Sequence, residues 1–180
     1  MNWMILPLKR YAEFSGRSRR MEYWMFALFQ FAIYMVFAVI FGSVLFSALA
    51  SGGAASIGRG SVMSTMFASM GIAFVLIGLF WLAMLIPAIA VAVRRLHDTD
   101  RSGWWLMLYV GPYLVSLVFR AVAIGSGSGS LLAVVGVLGL LNLICGIVLL
   151  VFMCLPGTVG ANRFGADPMF ADRDFAETFR

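Results

Sequence analysis

The sequence predicts an all-α membrane protein with four transmembrane helices and both termini in the cytoplasm, and three observations carry that reading. Of its 180 residues, 62% are hydrophobic and only 12% are charged, against about 45–50% and about 25% in soluble domains. Four apolar stretches, each long enough to cross a hydrocarbon core of about 30 Å as a helix, take up most of the chain. The basic residues fall on alternate connections, which orients the stretches. The mean hydropathy of +0.97 agrees, and no room is left for a large soluble domain.

The spans are expected at about 23–50, 66–93, 104–124 and 131–155, and none contains an acidic residue. Without water, each backbone amide must be satisfied within its own segment, which selects helix. Ala48-Leu49-Ala50 has the small-x-small pattern of a signal-peptide cleavage site. A signal core, however, covers about 7–15 residues, and the run from Tyr23 is nearly twice that. The first stretch therefore reads as a retained helix. Pro87 and Pro112 each remove a helical donor, from the carbonyls of Ala83 and Leu108, and predict kinks.

Eleven of the thirteen Lys and Arg residues lie in 1–22, in the central connection, or in the tail beyond the fourth span; only Arg59 and Arg120 lie on the other side. Positive-inside bias puts the amphipathic segment 1–22, the central loop and the tail 156–180 in the cytoplasm. The net charge of +5 therefore reports orientation and not a nucleic-acid partner. The two opposite connections, 51–61 and 125–130, are built from Gly, Ala and Ser and read as flexible linkers. Arg120 reads as a snorkelling side chain, and Asn142 as a mid-span hydrogen-bonding group. Ala38, Gly42, Ala88, Ala92, Gly136, Gly139 and Gly146 are the expected close helix contacts. Cys145 and Cys154, nine apart on one helix, cannot bridge. With one histidine and no Cys-x-x-Cys, no structural zinc site and no cofactor are expected.

The informative residues form three groups. The first runs from Phe14 through Gly16-Arg17-Ser18-Arg19-Arg20-Met21-Glu22 to Tyr23-Trp24. The second is Arg94-Arg95-Leu96-His97-Asp98-Thr99-Asp100-Arg101-Ser102-Gly103-Trp104-Trp105. The third is Gly160-Ala161-Asn162-Arg163-Phe164-Gly165-Ala166-Asp167-Pro168. In order and spacing they resemble the bacterial inner-membrane family named domain of unknown function 805. The resemblance implies a small four-span inner-membrane protein with no established catalytic activity to carry over. Against it, Asp100 stands where Gly is expected, and Phe164 where Tyr is usual.

Much of this has a structural account. Tyr23, Trp24, Trp104 and Trp105 suit the lipid interface. Glu22 near a helix start and Arg94 and Arg95 near a helix end complement the macrodipole. Asp98 or Thr99 is placed to cap the helix that resumes at Trp104, and Gly16 and Gly165 to supply turns. Beyond this, Arg17, Arg20, Arg94, Arg95, Arg101 and Arg163 are expected at one depth with Glu22, Asp98 and Asp167, joined by His97 and Asn162. The guanidinium fork suits bidentate contact with carboxylate or phosphate. The favoured reading is a clamp in which the acids tie three segments together; the other is a cationic pocket for a phosphate-bearing headgroup or an acidic partner segment.

His97 beside Asp98 does not make a catalytic pair, because helical neighbours point about 100° apart, and no nucleophile accompanies them. The function expected is binding or scaffolding in the inner membrane. Its partners are lipids, anionic ones first, with a protein partner or a second copy also open. A small transporter or channel is the alternative, disfavoured because the spans hold almost no ionisable groups. An enzyme acting on lipid phosphate comes third. Trp3, Ile5, Leu6, Leu8, Tyr11 and Phe14, with Lys9 and Arg10, suit the membrane surface, and Phe170, Phe175 and Phe179 in the tail suit docking to that surface or a partner.

Overall fold

The structure, a computed structural model, describes residues 3–52, 59–127 and 129–169. Its helices are α1 (Leu6–Lys9), α2 (Arg20–Gly52), α3 (Arg59–Asp98), α4 (Met107–Ser126) and α5 (Gly129–Cys154), with a 3₁₀ turn at Gly103–Leu106 leading into α4. Among the described residues, four segments are long and apolar enough to cross a membrane: Arg20–Ser43, Phe74–Asp98, Gly103–Ser126 and Gly129–Cys154. No strand occurs among the described residues, only an isolated bridge between Asn162 and Gly165.

The connections expected as linkers are shorter than their composition suggests. α2 continues to Gly52 and α3 begins at Arg59, so both ends of 51–61 are helical; residues 53–58 lie outside the described residues. In the other connection α4 persists to Ser126. Gly127, at φ 64, ends it by donating its N–H to the carbonyl of Ala123 at 3.0 Å, and α5 starts at Gly129. Gly and Ser have weak helix propensity, but extending a helix keeps backbone amides satisfied, and that demand outweighs propensity here. The tail residues Phe170, Phe175 and Phe179 lie outside the described residues.

The chain divides into two compact units. The first comprises the described residues of Met1–Ala12 and Trp24–Ala88. Pro87 withholds the N–H that the Ala83 carbonyl would otherwise accept, and α3 nevertheless runs through it unbroken. The Tyr11 hydroxyl donates to that same carbonyl at 2.5 Å. Tyr34 and Phe37 of α2 meet Phe80 of α3 at centroid distances of 5.4 and 6.1 Å.

The second unit comprises Glu13–Tyr23 and the described residues of Ile89–Arg180. α4 and α5 run antiparallel, Trp105 meeting Phe152 edge-on at 5.2 Å. A Cβ on Gly146 would lie 3.3 Å from the Tyr109 ring, whereas at Gly42, Gly136 and Gly139 it would meet nothing within 4 Å. Of these four glycines, only Gly146 makes the close approach expected of small residues in a membrane. The same unit holds the foot of α2, the last turns of α3 and the segment after α5.

Candidate functional site

In the second unit α3 and α5 both end beside the foot of α2, and each end leaves carbonyls without donors and about half a negative charge. α5 has no basic residue in its own last turn. Its carbonyls are served from elsewhere: Arg95 donates Nε to Met153 O at 3.1 Å and Nη2 to Leu155 O, and Arg20 donates Nη1 to Cys154 O at 3.4 Å. The end of α3 is treated similarly. The N–H of Ser18 donates to Arg94 O at 3.1 Å, Asn162 Nδ2 to His97 O at 2.8 Å, and the N–H of Thr158 to Asp98 O at 2.8 Å.

α3 stops in a Schellman arrangement, with Arg101 N–H on Leu96 O at 2.9 Å and Asp100 N–H on His97 O at 3.0 Å. Asp100 takes the left-handed position at φ 57. This is the position where the family resemblance calls for Gly, and Asp is among the few other residues that visit this region readily. Neither Asp98 nor Thr99 caps the helix that follows, contrary to expectation. The Thr99 hydroxyl turns back to Leu96 O at 3.0 Å, the Asp98 carboxylate is taken by arginines, and Ser102 precedes the 3₁₀ turn without a side-chain cap.

At the centre lies a buried Arg–Asp–Arg triad. Arg17 approaches Asp98 Oδ1 with Nε at 3.0 Å and Nη2 at 2.9 Å; Arg95 Nη1 contacts Oδ2. All three side chains are at most 7% exposed. Arg17 also donates from Nη1 to Gly160 O and from Nη2 to Thr158 O, both at 2.6 Å. Two cations on one carboxylate leave an excess positive charge, which the carbonyls at the ends of α3 and α5 offset. Gly157 lets the last segment approach, since a Cβ there would fall 2.6 Å from Asp98 Cγ.

The segment after α5 wraps this centre. Asn162 and Gly165 exchange backbone hydrogen bonds at 3.0 and 3.1 Å, and Asn162 Oδ1 accepts the Phe164 N–H at 2.9 Å. The turn presents the Phe164 ring to His97, stacked at 3.9 Å and 3°, while His97 Nδ1 lies 3.2 Å from Gly16 O. His97 and Asp98 do not pair. Asp167 accepts the N–H groups of Met169 at 2.8 Å and Gly160 at 3.0 Å. Those donors, Met169 first, and the nearby guanidiniums of Arg17 and Arg19 hold its carboxyl below the usual carboxylate range, against burial, which pushes it up.

The other expected residues are placed as follows. Arg94 and Glu22 form a buried ion pair at 3.0 Å. Arg163 pairs with Asp100 at 3.1 Å, but on an exposed surface. Arg101 stacks 4.1 Å over the Phe152 ring and donates to Thr99 O at 3.2 Å. Arg20 is exposed, and beside it a depression of about 480 Å³ is lined by Arg17, Arg19, Arg20, Asp98 and Asp167, among others.

The family model described as "Protein of unknown function (DUF805)" matches residues 11–166, a stretch that takes in the first two segments of this cluster and the third as far as Ala166. The chain belongs to the DUF805 family. Among DUF805-like relatives, the inner membrane protein YhaI of Escherichia coli (strain K12) is 34% identical over 173 residues, covering 94% of this chain and 98% of the relative. The inner membrane protein YhaH of the same strain is 32% identical over 168 residues, covering 93% and 97%. No solved structure matches the chain. With four spans and these relatives, this DUF805 protein is a multi-pass protein of the inner membrane.

Sequence reasoning missed several groups that complete the DUF805 cluster. Gly160 serves through its backbone carbonyl and amide, which carry no residue-type signal, and Thr158 serves through its backbone and through a hydroxyl that accepts from Asn162 Nδ2 at 3.0 Å. Arg19, which donates to Pro168 O, was visible only as one charge in a basic run. Phe152 under Arg101 reads in sequence as one more apolar residue of a span.

Proposed function

We propose that this protein is a binding or scaffolding component of the inner membrane whose arginine-rich face looks into the cytoplasm. The Arg17–Asp98–Arg95 triad closes that face upon itself, and Arg20, with Arg19 beside it, receives an anionic lipid headgroup in the adjoining depression. One observation carries the reading: each guanidinium nitrogen of Arg17 and Arg95 and both oxygens of Asp98 have a partner inside the unit. The triad thus acts as a clamp, and ligand recognition passes to the cations around it. Arg20 is exposed and is the first residue of a span, which puts its charge at headgroup depth. The sidedness rests on the distribution of Lys and Arg.

The test is thermal unfolding of the full chain in neutral detergent with phosphatidylglycerol or phosphatidylcholine added. One guanidinium at a membrane surface is worth about 1 kcal/mol, or roughly 2–4 °C for a chain of this size. Protection of that order by phosphatidylglycerol alone is expected, lost in Arg20→Gln and kept in Arg163→Gln. Equal protection by both lipids, or full protection of Arg20→Gln, overturns the proposal.

A further inference from the structure

A second polar feature lies away from the arginine cluster, within the α4–α5 pair. On α4, Tyr109, Tyr113, Ser116 and Arg120 recur at steps of four, three and four residues, one face of a helix. They share a groove of about 400 Å³ with Gly139, Asn142 and Gly146 of α5. The contact of Gly146 with the Tyr109 ring sets the antiparallel register and brings Asn142 level with Tyr113. The groove is open: Tyr109 and Tyr113 are 42% and 45% exposed.

Asn142 is 8% exposed, and its Oδ1 has no hydrogen-bond partner among the described residues. The neighbouring Ser116 hydroxyl does not serve it, donating instead to Tyr113 O at 2.7 Å. A buried acceptor in hydrocarbon is costly to leave unmet, and a donor from a molecule in the groove relieves it. At the far end Arg120 is exposed, with no ion-pair partner among the described residues. Seven residues separate Arg120 from Tyr113, about 10 Å at a rise of 1.5 Å per residue.

We propose that the α4–α5 groove binds an anionic amphiphile that carries a hydroxyl within about 10 Å of its charge, the charge held by Arg120 and the hydroxyl by Asn142. The chemistry has two sources: the glycerol-phosphate headgroup of a phospholipid, or a hydroxylated long-chain acid. A second copy of the chain fits less well, because a symmetric pair sets hollow against hollow.

The experiment measures lipid retention by the full chain in neutral detergent, by native mass spectrometry. The Arg20→Gln background keeps the headgroup depression from contributing. Phosphatidylglycerol is compared with phosphatidate of the same chains, and 3-hydroxymyristate with myristate. In at least one pair the hydroxylated member is expected to bind about tenfold more tightly, one per chain, as a single hydrogen bond to a buried acceptor provides; the responding pair identifies the source. Asn142→Leu and Asn142→Ala abolish that preference, while Arg120→Gln weakens both members of the pair about tenfold. Gly139→Leu, which projects into open space, blocks the groove and supplies an independent loss. The proposal is overturned by absence of a hydroxyl preference in both pairs, by a preference surviving the Asn142 variants, or by unchanged retention in Gly139→Leu. A photoreactive group at Tyr113 that joins two chains instead of lipid overturns it too.

Discussion

Asp98 meets two guanidiniums at once, and neither can leave without stranding a buried charge. Removing one partner of a buried ion pair costs about 3–5 kcal/mol, because the remaining charge loses its compensation. Asp98→Asn keeps the shape and deletes the charge that Arg17 and Arg95 share, so it is expected to lower thermal stability by roughly 10 °C on the size scaling of small proteins. Asp100→Asn loosens only the exposed pair with Arg163, a change within about 1 kcal/mol. Thermal unfolding in detergent checks both, and equal losses would refute a buried clamp. At this scale the sequence showed which residues carry charge. It did not show who pairs with whom, since Arg17 and Asp98 stand 81 positions apart, and two of the three residues that Arg17 engages are met through carbonyls that any residue possesses. Asp100 is the exception: the family resemblance marks its position as one for Gly, and the left-handed φ of 57 there explains why.

The spans were legible at the scale of elements because about 20 apolar residues in a row leave few alternatives to a membrane helix. Their ends were not, because small polar residues such as Ser126 continue a helix when that satisfies the backbone. Pro87 illustrates the same demand inside an element. The carbonyl of Ala83 that it deprives is met by Tyr11, a residue the sequence assigns only to an amphipathic surface segment. Tyr11→Phe is therefore expected to destabilise by about 1 kcal/mol, the net value of one hydrogen bond, although it removes a single oxygen from an exposed side chain. Unchanged thermal stability, or unchanged amide exchange around Ala83, would show that this carbonyl needs no donor from Tyr11.

For the molecule as a whole, the arginine cluster joins the foot of α2, the end of α3 and the segment after α5. Two helix C-termini converge there, which accounts for more arginines than the acids alone would hold. The proposed orientation, which rests on the distribution of Lys and Arg, has this end in the cytoplasm. In a Cys145→Ser, Cys154→Ser background, Ser15→Cys and Val159→Cys are expected to react with an impermeant thiol reagent only after the membrane is opened, and Ser126→Cys before. Reaction of Ser15→Cys or Val159→Cys in sealed cells would reverse the topology and remove the cytoplasmic binding face with it.

The sequence by itself determined that this is a four-span inner-membrane protein of the DUF805 family, because hydropathy and motif order are properties of the linear chain. It also marked the three segments that carry the charge. Only the tertiary structure decided that Arg17 and Arg95 share Asp98, that Arg95 and Arg20 serve the end of α5, and that Asn142, in an open groove, has an acceptor unmet among the described residues. Such pairings depend on which backbone groups lack donors once helices end side by side, and no local pattern of residues encodes that.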